Sequence, residues 1–94
     1  MVRSSENGEL TERELMWLVG MCQDLRGEAR LELATWKQMG SHENQDVRAF
    51  HIGLTRTRVE QANALRHALT LLNVRGIGLP LVFDEKAETL TCAC

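Results

Sequence analysis

The stretch TERELMWLVGMCQDLRGEARLELATWKQM, residues 11–39, and the stretch QDVRAFHIGLTRTRVEQANALRHALTLLN, residues 45–73, decide the fold. Both space their apolar residues as a helix does, and only Gly40-Ser41-His42-Glu43-Asn44 separates them. In the first, Leu15, Leu18, Val19, Cys22, Leu25, Ala29, Leu33 and Trp36 recur at three- and four-residue steps, which places them on one face. Thr11 and Glu14 have the capping-box spacing that starts a helix, and Glu12 adds negative charge where the helix dipole favours it. In the second, Val47, Phe50, Leu54, Leu65, Ala68, Leu69 and Leu72 predict the inner face. So short a link brings the two helices together as antiparallel neighbours. The second helix should stop between Asn73 and Gly76, and Pro80 prevents its continuation.

Beyond Pro80 the pattern changes. Leu81-Val82-Phe83, Asp84-Glu85-Lys86-Ala87 and Glu88-Thr89-Leu90-Thr91-Cys92 read as strand, turn and strand. Two strands alone are marginal in water, so this hairpin must rest on the helices or join strands of another chain. The expected fold is mainly α: a long antiparallel two-helix hairpin, 11–73, followed by a short C-terminal β-hairpin, 81–92. Both belong to one domain, 10–94, behind a flexible polar segment, 1–9. A chain of 94 residues has surface for only one modest core.

No apolar run is long enough to span a bilayer, and residues 1–9 lack the apolar stretch of a signal peptide. A cytoplasmic protein with no membrane partner is the expectation. The net charge of −2 argues against a uniformly basic nucleic-acid binder. Residues 1–33 hold seven acids against four arginines, whereas 45–75 carry Arg48, Arg56, Arg58, Arg66 and Arg75 against Asp46 and Glu60. An acidic helix lying beside a basic one accounts for this.

Three cysteines, Cys22, Cys92 and Cys94, do not make a disulfide framework. Cys22 reads as a small core hydrophobe, and two C-terminal thiols do not complete a zinc site. Gly76-Ile77-Gly78 follows a helix and lacks a third glycine, so it is not a dinucleotide fingerprint. His42, His51 and His67 have no spacing that puts two on one metal. No cofactor, metal or catalytic set is expected.

The remaining features point to binding. Gly20, Gly27 and Ala34 fall at seven-residue intervals on one stripe of the first helix, flanked by Met16 and Leu31. Small residues there allow a second backbone to approach, which offsets the roughly 1 kcal/mol that each interior glycine costs relative to alanine. Leu10, Trp17, Met21 and Met39 point to another side, beyond the reach of a single hairpin. Exposed Trp and Met mark interfaces. A fold of the C-terminal hairpin back over Trp17 is the structural alternative.

The expected assembly is a homodimer forming a four-helix bundle, with Leu10, Met16, Trp17, Gly20, Met21 and Gly27 at the contact. The expected role is that of a small protein–protein interaction module: an adaptor, inhibitor or regulatory subunit, in the style of a bacterial or phage accessory protein. The alternative is a nucleic-acid-binding regulator that uses Arg48, Arg56 and Arg66 on the second helix. Against it, that helix has no lysine and no aromatic platform, and an ion-paired face is favoured. His51, Arg58 and Gln61 intrude on the inner face and require partners, with Glu32 and Glu28 the nearest acids on the first helix.

Overall fold

The computed structural model describes residues 9–38 and 44–92. Two helices, α1 (Glu12–Gln38) and α2 (Gln45–Leu71), precede two strands, β1 (Leu81–Asp84) and β2 (Thr89–Cys92). Thr11 and Glu14 make the reciprocal cap: the Thr11 N–H donates to Glu14 Oε1 at 2.7 Å, and the Glu14 N–H to Thr11 Oγ1 at 3.1 Å. At α2, the Asn44 side chain accepts from the N–H groups of Asp46 and Val47. The far end stops as expected: Asn73 and Gly76 both take positive φ, 64° and 81°, which turns the chain out of the helix. Met39, residues 40–43 of the link, residues 1–8 and Cys94 lie outside the described residues.

The helices run antiparallel, as contacts between them show. Cys22 clusters with Leu69, Arg58 meets Glu28 at 3.3 Å, and His51 meets Glu32 at 2.5 Å. Partner numbers fall on α2 as they rise on α1. Both acids anticipated for the polar layer are the ones used; Gln61 is exposed and takes no part in it.

The α1 face is the expected one. Cys22, Ala29, Leu33 and Trp36 are buried, with Leu15, Leu18, Val19 and Leu25 packed against them. The α2 face is not. Its buried residues are Ile52, Thr55, Val59, Ala62 and Leu69, whereas Phe50 is 64% exposed, Leu72 is 47% exposed and Ala68 is exposed. The buried face lies about 100°, close to one residue, from the expected one. The reason is that α2 has two partners. Val47, Leu54 and Leu65 are half-buried, Leu65 against the Cys22 cluster of α1, while Val59 and Ala62 on the other flank pack with Leu81 and Phe83 of the β-hairpin. The centre of burial therefore shifts toward the hairpin. Thr55 shows the consequence: it is fully buried and returns its hydroxyl proton to the His51 carbonyl at 3.0 Å.

The strands pair antiparallel, Leu81 opposite Cys92 and Phe83 opposite Leu90. Phe83 and Leu90 point down between the helices, against the cluster of Ala29, Val59, Ala62 and Leu81 and against Leu33, Trp36 and Ile52. The hairpin thus rests on the helices. It forms a second layer on one side only, and the molecule measures 55 × 32 × 15 Å.

Candidate interaction surfaces

Charged side chains hold the hairpin down. Arg26 is buried, with 4% of its surface exposed, and donates to the Leu79 carbonyl at 2.6 Å. Arg66 donates through Nε to the Gly78 carbonyl, also at 2.6 Å. Two arginines, one from each helix, therefore clasp the backbone of the connector into β1. Gly78 must be glycine here: its φ is +86°, and a Cβ would lie 2.8 Å from Arg26 Nη2. Arg48 bonds Glu88 through Nε and Nη2, and Arg56 bonds Glu85 bidentately. The Arg56 guanidinium holds the Glu85 carboxyl below the ordinary carboxylate range, and Glu85 in turn raises the already high pKa of Arg56.

These pairs correct the expected charge arrangement. Arg58 with Glu28 and His51 with Glu32 join α2 to the acidic helix. The other basic side chains of α2 reach the turn of the β-hairpin and the connector before it. The three arginines considered for nucleic acid, Arg48, Arg56 and Arg66, are thus all engaged within the chain. Glu85 and Glu88 were invisible to an argument confined to the helices, because the acids that answer α2 lie some thirty to forty residues further along.

The residues considered for partner binding fall into three places on α1. Trp17 and Met21, 68% and 40% exposed, lie on the side of α1 turned away from Arg30 and Lys37, which reach the hairpin, and Leu10, 38% exposed, precedes the helix. Met16 and Gly20 line an apolar groove of about 400 Å³ with Leu15, Val19 and Val74. Gly27 sits further along the outer shoulder of α1; a Cβ at Gly20 or Gly27 would meet nothing within 4 Å. The hairpin packs elsewhere and does not cover Trp17.

The face that carries Trp17 continues onto α2. Phe50, Ala68 and Leu72, the residues that fail to reach the core, project on the same side of the layer, away from β1. The antiparallel arrangement places Leu72 near the start of α1 and Phe50 near its end. The Glu28–Arg58 pair lies between them, and the Glu32–His51 pair lies beside Phe50, whose ring centroid is 5.2 Å from that of the imidazole, so the uncovered face is apolar around Trp17 and mixed toward Phe50.

Reactive chemistry is sparse. Burial pushes the Cys22 thiol up, against the opposing pull of Arg26 and Arg66, and its Sγ lies 3.7 Å from the Ala62 carbonyl oxygen. A buried protonated thiol is a poor nucleophile. Among the described residues no group of His, Cys, Asp and Glu is placed to hold a metal ion, and no helix is long and apolar enough to cross a membrane. Comparison with family models, with curated proteins and with solved structures finds no match to this chain.

Proposed function

We propose that the protein is a small non-enzymatic interaction module that works through the uncovered face of its helical layer, and that a second copy is the simplest occupant of that face. The observation that carries this reading is the exposure of Trp17 on the side the β-hairpin leaves bare. Trp17 and Met21 from α1 and Ala68 and Leu72 from α2 lie exposed toward one end of that face, with Phe50 at the other. A single layer of two helices has nothing else in the described chain to cover it.

Two such layers stacked face to face make a four-helix bundle, each with its own hairpin on the outside. The Glu28–Arg58 pair provides register: an offset stacking would place it against Trp17 and strip it of water without compensation. Cytoplasmic adaptors, inhibitors and regulatory subunits are the roles that suit a chain of this kind. The nucleic-acid alternative is disfavoured by the intramolecular engagement of Arg48, Arg56 and Arg66.

Sedimentation velocity over a dilution series tests the assembly. A reversible shift from two copies to one, with little change between low and high salt, is the expected result, since apolar contacts are weakly screened. A single copy at every concentration removes the second copy as occupant.

A further inference from the structure

The two edges of the β-sheet are not equivalent. On the β1 edge, the Asn63 carboxamide both donates to the Leu81 carbonyl and accepts from the Leu81 N–H, each at 2.8 Å. That is the pair of bonds a neighbouring strand would make, so a side chain of α2 seals this edge. It also fixes the ladder: because the backbone N–H and carbonyl of Leu81 face away from β2, those of its opposite number Cys92 face away from β1, and so do those of Leu90 two residues before it, while the Leu81 and Leu90 side chains stay packed on the helices. Among the described residues no side chain caps Leu90 as Asn63 caps Leu81.

Beside that open edge runs a groove of about 460 Å³ between β2 and the outer shoulder of α1. Its floor is Leu33 and Ala34, and Arg30 and Lys37 stand along it. Glu88, at the groove's end, is engaged by Arg48 at 2.7 Å, which leaves the groove basic. Among the described residues neither cation has a carboxylate partner: Arg30 makes a 3.9 Å approach to Cys92 Sγ, and Lys37 donates to the Glu88 carbonyl at 3.1 Å. Strands in a sheet lie about 4.8 Å apart, so a third strand on β2 would settle over the small side chain of Ala34.

We propose that this groove binds an extended, acidic segment of a partner protein, which adds to β2 as a third strand. Backbone bonds at Leu90 would supply affinity, apolar side chains would face Leu33 and Ala34, and carboxylates would meet Arg30 and Lys37. A second copy of β2 is a poor occupant, because two-fold pairing would bring the same cations face to face. The groove lies on the hairpin side of the layer, away from Trp17, so this site stands or falls independently of the dimer.

The test uses capped pentapeptides alternating glutamate and valine, or lysine and valine, titrated into the full chain and followed by amide NMR and hydrogen exchange. The glutamate peptide is expected to bind saturably and slow exchange at the Leu90 amide. The lysine peptide should bind at least about tenfold more weakly, the scale of two exposed ion pairs turned repulsive. The R30E/K37E variant, altered at exposed positions, should reverse that preference while keeping its helicity. The proposal is overturned by no saturation at millimolar peptide, by equal binding of both peptides, or by perturbations centred on Trp17. It is also overturned if Leu90 becomes protected with rising protein concentration alone, which would assign the edge to a second copy.

Discussion

Replacing Trp17 with alanine should separate association from folding. The indole is 68% exposed in one copy and belongs to no buried cluster, so its removal should change the stability of the isolated chain by no more than about 0.5 kcal/mol. A large aromatic anchor that becomes buried at an interface typically accounts for about 2–4 kcal/mol, which corresponds to a roughly 30- to 1,000-fold weaker dimer. The informative control is Trp36→Ala. That indole is fully buried, packs with Leu33 and Ile52, and has the Arg48 guanidinium 5.9 Å from its ring. Its loss should cost about 3–5 kcal/mol of folding free energy and lower the melting temperature by tens of degrees. Thermal melts belong at concentrations where the wild type is a single copy, because association itself raises apparent stability by mass action. Sedimentation then reports dimerisation and circular dichroism reports folding. If Trp17→Ala melts far below the wild type when dilute, Trp17 is core and the reasoning fails; if dimerisation is untouched, the bare face is not the interface.

Gly78→Ala should cost more than about 1 kcal/mol, because it combines a positive φ with a contact against Arg26, and denaturant melts should show the loss. Gly27→Ala should do the opposite in the isolated chain, raising stability by up to about 1 kcal/mol, since its Cβ would meet nothing. If that variant also weakens the dimer, a second helix approaches this shoulder closely. Alkylation followed by peptide mass spectrometry should label Cys92 rapidly and Cys22 only on unfolding, because burial keeps the Cys22 thiol protonated. Acid should loosen the turn of the β-hairpin: Glu85 has a depressed folded-state pKa, so its contribution is present above the ordinary carboxylate pKa and is lost as pH falls through the lower folded value. Glu85→Gln should remove that part of the pH profile in a denaturation series.

The long helices, the Thr11–Glu14 cap of the first, their antiparallel pairing and the hairpin over 81–92 follow from local pattern, because each signal lies within a few residues of its effect; the Asn44 cap of the second helix sat unread in the link. The face of α2 did not follow. Phe50, Ala68 and Leu72 are as apolar as Ile52, Val59 and Ala62, and periodicity alone cannot say which arc has a partner on both sides. Asn63 and Thr55 look like surface residues on a helical wheel; both take their roles from groups that come near only when the tail folds back. Arg26 was similarly opaque, an ordinary arginine in sequence that becomes a buried clasp because the Leu79 carbonyl, 53 residues later, arrives beside it. Exposure of Trp17, by contrast, could be anticipated from its angle to the seam.

The amide of Asn63 has a consequence for how the chain reaches its final form. Because a helix side chain stands in for a missing third strand, the sheet has no scaffold until α2 is formed and oriented on α1. The strands should therefore dock on a helical pair that is already formed, and the tail should be the first part to open when the protein breathes, with faster hydrogen exchange than the helices.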